Sequence, residues 1–373
     1  MTIINRQSWY FEPDGDKARL DILGTAEELP SGDVVTIKDV TYHLMDGSCF
    51  RAVDANVMYI LYAGAWHAQM AATEEGMYSW AVRNYISGTG KVVIPDGVTE
   101  IKANEFDGNN SITEVVIPES VTSIGDYAFQ DCTGLTQIAL SDGLTSIGNV
   151  ALANCSSLTS IVIPESVTSI GYNAFSGCSG LKSIELPRNM VSIPQWMLQG
   201  CSSLTSITIP GNVTSIGMEA FRGCSSLGSI TIPDGVTEII QGAFYGCSSL
   251  ESITIPDGVT KIDDSIFCNC SSLTSITIPD GVTDIGTDAF GNCIGLTSIT
   301  LPDSLTEIRN WAFEYCTSLK SITIPESVTS ISANVFRGCT NLATITINKP
   351  EGSIEGAPWG APNAEIVWNG GNE

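Results

Sequence analysis

Ten of the twelve cysteines in this chain stand 23 residues apart: Cys132, Cys155, Cys178, Cys201, Cys224, Cys247, Cys270, Cys293, Cys316 and Cys339. Thiols in such a series invite three readings: a rack of disulfides, a metal relay, or a row of buried free thiols. A disulfide needs a Cβ–S–S–Cβ dihedral of about 90°, and parallel side chains on successive units of a repeat are poorly set for it. Zinc needs thiolate or imidazole ligands at close spacing. The one close cysteine pair is Cys268 and Cys270, and the two histidines, His43 and His67, precede the periodic region. The preferred reading is a column of small inward thiols, because free cysteine is among the most buried residue types. Unpaired thiols in this number suit a reducing cytoplasm or an anaerobic habitat.

Carboxylates form a second column at Asp96, Glu119, Asp142, Glu165, Asp234, Asp257, Asp280, Asp303 and Glu326, interrupted by Arg188 and Gly211. Stacked carboxylates repel unless water, salt or a cation screens them. Calcium accepts such oxygens, whereas Asp-Gly and Glu-Ser pairs also supply ordinary turn chemistry. Turn chemistry is the simpler account, so no metal and no cofactor is assigned. Catalysis has little support: the histidines flank no nucleophile elbow, and no phosphate-cradling loop, GxGxxG after a strand or HExxH is present.

The elements that carry these columns follow from others in the same register. Prolines recur from Pro95 to Pro325, each closing a short apolar segment such as Leu204, Ile207 and Ile209. Proline lacks the amide that would continue a ladder and is tolerated at strand ends. A second segment, such as Val213 and Ile216, follows it, so each repeat holds two short strands. Eleven residues after each proline comes a phenylalanine, from Phe106 to Phe336, replaced by Leu152 and Leu198. This column should stack as the spine of the core. Two positions later stands Gly, Asn or Asp at every rung but one, the exception being Tyr315. Those types tolerate positive φ, so a left-handed turn is expected there, and Tyr315 is expected to be strained. A fixed period of this length marks a solenoid whose coils contact mainly their neighbours.

The repeat LTSITIPxxVTSIGxxAFxGCSS resembles the BspA-like, or Treponema-type, leucine-rich repeats of bacterial surface proteins. The resemblance covers about residues 88–348 in about eleven repeats. It implies a right-handed leucine-rich-repeat solenoid, mainly β, with short strands and turns or 3-10 segments. It also implies adhesion through protein binding at a cell surface.

Residues 1–87 are read as a small β-rich N-terminal domain, with strands in VVTIKDVTYHL, SCFRAVD and VMYILYAGAWHAQM and a helical stretch near EEGMYSWAVRNYI. The string DGSCFRAVDANVMYILYAGAWHAQ resembles β modules of phage and prophage structural proteins, through Asp46, Gly47, Ser48, Asp54, Tyr59, Tyr62 and Trp66. An ordinary β-meander is the competing reading. Residues 88–348 are the solenoid and 349–373 a C-terminal cap, in which Trp359 and Trp368 cover the last rung and the repeat register is not kept.

A net charge of −25 argues against nucleic acid, since phosphate binding needs clustered Lys and Arg. No apolar run of 18 residues is present, so no membrane insertion is expected. The first residues show neither a basic nor an apolar signal region, which leaves cell-surface or secreted, virion-associated and cytoplasmic locations open.

The strands hardly vary, and their exposed Thr and Ser columns are explained by strand chemistry. Variation concentrates around the phenylalanine, where Tyr127, Tyr172, Trp196, Met218, Arg222, Tyr245, Arg309, Trp311, Tyr315 and Arg337 fall on successive rungs. These types are enriched in interfaces, and the strip is the candidate recognition surface for a protein or glycan on a host or bacterial surface. Two alternatives remain: a phage or prophage host-recognition component, and an intracellular scaffold. The repeat at 187–201, with Pro194, Trp196 and Leu198, departs from the rest, and a local kink or protrusion is expected there.

Overall fold

In the computed structural model, seven strands between residues 11 and 70 are described by their backbone, and residues 90–94 and 97–370 in full. The chain divides into two compact units, Met1–Ile94 and Pro95–Glu373. No helix occurs among the described residues.

In the first unit the strands are Phe11–Asp14, Lys17–Thr25, Val34–Ile37, Val40–Met45, Cys49–Ala52, Val57–Tyr62 and Ala65–Met70. They form one antiparallel sheet in which the strand that ends the series, Ala65–Met70, lies between Lys17–Thr25 and Val57–Tyr62. Met45 pairs with Cys49, and Tyr62 with Ala65, so strands consecutive in sequence are antiparallel neighbours there. The helical stretch expected near residues 74–86 lies outside the described residues.

The second unit is a leucine-rich-repeat solenoid of about 12 turns. Most coils contribute two short parallel strands, the first being reduced to a single bridge, Thr208 to Thr231, in the coil after Cys201. Ser160–Val162 pairs with Ser183–Glu185, and Ser123–Ile124 with Ser146–Ile147, in both cases at the 23-residue offset. Alternation decides which side chains enter the core: Ile161 is buried while Val162, its neighbour, is 58% exposed. The Leu, Ile, Val, Ala and Phe columns line one continuous interior.

The phenylalanines stack as the sequence pattern predicts. Ring centroids are 4.9 Å apart for Phe106 and Phe129, and between 5.4 and 5.8 Å from Phe221 to Phe336, with nearly parallel planes. Each buried ring contributes about 2 kcal/mol through the apolar surface it removes from water.

The cysteine column lies beside this stack, buried and unpaired. Each thiol donates to the carbonyl of the core residue one coil back. Phe129 O, for example, accepts both Cys132 N and Cys155 Sγ, each at 3.2 Å. A buried carbonyl has two lone pairs to satisfy, and a small apolar side chain with a weak donor fills the second. Burial pushes the thiols of Cys132, Cys224 and Cys339 up to about 12.

The departure at 187–201 coincides with a lost hydrogen bond. The residue four before the core position normally donates its amide to the previous coil, as in Gly171 N to Ile147 O at 2.8 Å and Gly217 N to Ile193 O at 2.9 Å. Pro194 has no amide hydrogen. The column of second strands is interrupted here, between Ser169–Ile170 and Ser192–Ile193, and again between Glu238–Ile239 and Lys261–Ile262, and Val191 is 63% exposed.

The C-terminal end corrects one expectation. The repeat register persists beyond residue 348: Ile354 stands 23 residues after Ile331 and is buried. Trp359 is wholly buried, its carbonyl accepting Phe336 N at 2.9 Å and its indole donating to Glu355 O at 2.8 Å. Only then is the period shortened, because Thr344 pairs with Glu365, 21 residues on. Trp359 closes the core, while Trp368 pairs with Ile347 in the last strand and remains half-buried.

Candidate functional site

The variable strip is built by the turn that carries the core phenylalanine. Amides two before, at, and two after that position donate to the next coil, as in Asn104 N to Asp126 O at 2.9 Å, Phe106 N to Ala128 O at 2.8 Å and Gly108 N to Gln130 O at 2.8 Å. The turn is thus a ladder, which fixes the backbone and leaves its outer side chains free to differ. The residue two after the core position has positive φ throughout, from Gly108 to Gly338, and Tyr315 adopts it at 56°.

A second left-handed column, two before the core position, is not apparent from the repeat consensus. It holds Asn104, Tyr127, Val150, Asn173, Trp196, Glu219, Gly242, Ser265, Asp288 and Trp311, all at positive φ. Asn, Gly, Ser and Asp in that list carry the signal, but tyrosine, valine and tryptophan among them obscure it. For a bulky or β-branched residue this conformation costs on the order of 1 kcal/mol or more.

The ten strip residues fall into four groups. Tyr127, Tyr172 and Trp196 form the first: the Tyr172 and Trp196 rings meet edge to face at 6.4 Å. A hydrogen bond with Tyr127 raises the Tyr172 hydroxyl above its ordinary value. Asn149 orders this region, accepting Tyr172 N at 3.1 Å while its own amide donates to Asp126 at 2.6 Å.

In the second group, Arg222 lies 4.8 Å from the Tyr245 ring centroid and donates to Glu219 at 2.8 Å. Glu219 also accepts Gln199 Nε2 at 3.1 Å. Met218 precedes it and is half-buried. The hydrogen bond to Glu219 raises the Arg222 guanidinium further.

Arg309 belongs to a third, largely structural group. It donates to Asp284 at 2.9 Å and lies 3.4 Å from Glu307, so its charge is already matched. Burial raises the Asp284 carboxyl, with Arg309 acting against it, and Asp284 Oδ1 is buried without a partner.

The fourth group holds Trp311 and Tyr315 on one coil, 37% and 41% exposed, with Glu314 between them in sequence. Arg337 on the next coil donates to Glu314 at 3.1 Å. Glu314, unremarkable in the repeat pattern, therefore joins the strip through this ion pair. Pairs this exposed contribute at most about 1 kcal/mol, so they orient side chains more than they stabilise the coil.

Two shallow depressions lie elsewhere among the described residues. A depression of about 290 Å³ is lined by Ser252 to Ile255 and Ser275 to Thr277, and one of about 170 Å³ by Val167 to Ile170 and Met190 to Ser192. Both lie at or below the lower bound for small-molecule pockets, ~300 Å³. Arg188 replaces the acidic column's carboxylate and pairs with Glu165 at 3.6 Å. Among the described residues no group of three or more His, Cys, Asp or Glu is placed to hold a metal, and no helix is long and apolar enough to cross a membrane. His43 and His67 lie on strands of the first sheet with two others between them.

Residues 84–203, 145–274 and 260–357 match the sequence profile of the BspA type leucine rich repeat region, in six copies. No curated protein sequence matches the chain. Among solved structures, a leucine-rich repeat protein from Bacteroides ovatus is similar with a TM-score of 0.62 and 25% identity, over 98% of this chain and 100% of that one. A leucine rich cell surface protein from Faecalibacterium prausnitzii gives a TM-score of 0.54 at 28% identity, over 92% of this chain and 96% of that one. With the profile spanning most of its length and the coil geometry in accord, the chain belongs to the BspA-type leucine-rich-repeat family.

Proposed function

We propose that this is a non-enzymatic adhesion protein, which recognises a macromolecule of a host or microbial surface through the strip of turn side chains. The observation that carries the reading is the contrast between columns. Strand and core positions repeat from coil to coil, while Tyr127, Tyr172, Trp196, Tyr245, Trp311 and Tyr315 break the pattern and are exposed or half-buried. Large rigid aromatics with few rotatable bonds are the side chains that anchor interfaces at low entropic cost. Similarity to a leucine rich cell surface protein supports the location.

The test is adhesion of the full chain to cultured epithelial and bacterial cells, compared with a variant carrying Trp196→Ala, Tyr245→Ala and Trp311→Ala. Binding is expected to fall at least tenfold while the melting profile is retained. Unchanged adhesion in that variant overturns the site.

A further inference from the structure

The two left-handed columns single out one coil. At every other coil from Phe106 to Phe290 at least one of the two positions is Gly, Asn or Asp, the types that adopt positive φ cheaply. At the Phe313 coil both are bulky aromatics, Trp311 at φ 58° and Tyr315 at φ 56°. Neither ring is in the core, which is filled by Phe313 and its stack. The fold therefore gains little from the choice, and a pair of bulky residues held in sparsely populated conformations points to a role outside folding.

We propose that Trp311 and Tyr315, with Glu314 and Arg337, bind a neutral saccharide. A pyranose ring has an apolar C–H face, which packs on a flat aromatic side chain, and a rim of hydroxyls, which needs donors and acceptors. Both kinds of surface are present here. Trp311 and Tyr315 are more than a third exposed. Arg337 uses one N–H on Glu314 at 3.1 Å, and its guanidinium holds further donors in a fixed fork. Glu314 and Arg337 neutralise each other while Asp288 near Glu314 adds a negative charge, so an anionic ligand is disfavoured. Four side chains on two coils also match one or two sugar units better than a protein interface, which needs about 800 Å² from each partner.

Preorganisation supports the assignment. The Tyr315 ring lies over Gly338, where a Cβ would stand 2.6 Å from Tyr315 Cε1, so the glycine provides its berth. A ring already held in place loses little entropy on binding. This proposal rests on the adhesion reading above and narrows it to one pair of coils and one class of ligand.

The experiment probes the full chain on an array of immobilised neutral and sialylated oligosaccharides, then titrates the strongest hits by tryptophan fluorescence. Wild type should retain neutral oligosaccharides. Trp311→Gly and Tyr315→Gly should each weaken them at least tenfold, Glu314→Gln and Arg337→Met less, and Val162→Thr, at an exposed strand position outside the strip, not at all. Glycine suits the left-handed backbone, and far-UV circular dichroism of each variant checks that the solenoid persists. The proposal is overturned if wild type binds no neutral oligosaccharide, if binding is confined to sialylated ones, or if the Trp311 and Tyr315 variants bind like wild type. Adhesion to cells without glycan binding removes this proposal and leaves the adhesion reading standing. Glycan binding without adhesion does the reverse.

Discussion

The ring of Tyr315 occupies the space where a side chain of Gly338, one coil on, would begin. Gly338 itself has φ 74°, so two independent effects oppose any larger residue there. Gly338→Ala should destabilise the solenoid by about 1–3 kcal/mol, the sum of left-handed strain and displacement of the ring. Adding Tyr315→Gly should recover the steric part but not the backbone part. Additive effects of the two substitutions in urea unfolding would show that the contact carries no energy.

The left-handed column before the core position reverses a familiar preference. At Trp311, φ is 58°, and removing the ring costs the same contacts whether alanine or glycine replaces it. Trp311→Gly should nonetheless be more stable than Trp311→Ala by about 1 kcal/mol, because only glycine adopts this conformation freely. Thermal melts of the two variants decide the matter, and an alanine variant equal to or above the glycine one contradicts the assigned backbone.

The buried thiols make stability fall in alkali. Burial pushes Cys132, Cys224 and Cys339 up to about 12 from an ordinary value of 9.0. Between these values an unfolded chain ionises its thiols and the native one does not, so unfolding releases protons. The contribution is complete below pH 9 and is lost as pH rises towards 12, at about 1.4 kcal/mol per pH unit for each thiol. The urea midpoint should drop steeply between pH 8.5 and pH 10.5 under reducing conditions. Cys224→Ala, less stable at neutral pH, should show a shallower slope.

Pro194 stands where the second-strand column breaks and has no amide hydrogen to donate to the previous coil. Pro194→Ala should restore that bond, and native-state hydrogen exchange should find the new amide at position 194 protected. Net stability should change by less than about 1 kcal/mol, since the gained hydrogen bond offsets the lost rigidity of the unfolded chain. Free exchange at that amide would place the cause of the interruption elsewhere, for instance at exposed Val191.

Much of the architecture is legible in the sequence. The columns of Phe, Cys, Pro and Gly specify a solenoid because an error at one rung would recur at every rung, leaving a single register in which all apolar residues face inward. Periodicity also exposed Tyr315 as anomalous and Pro194 as a point of departure. It anticipated Trp359 as a lid but missed the register that Ile354 keeps in a coil whose sequence no longer looks like a repeat. Burial there depends on size and position, and consensus matching is blind to both.

What sequence alone determined, then, is the coil: its period, its inward columns and the reason its thiols are silent. Tertiary structure decided which variable residues meet. Arg309 meets Asp284 of the previous coil, and Glu314 meets Arg337 of the next. Such pairs join residues 23 or 25 apart in sequence, brought together by stacking. The second left-handed column was hidden for a related reason: its backbone is imposed by hydrogen bonds to the neighbouring coil, so tyrosine and tryptophan are held in a conformation their own preferences disfavour.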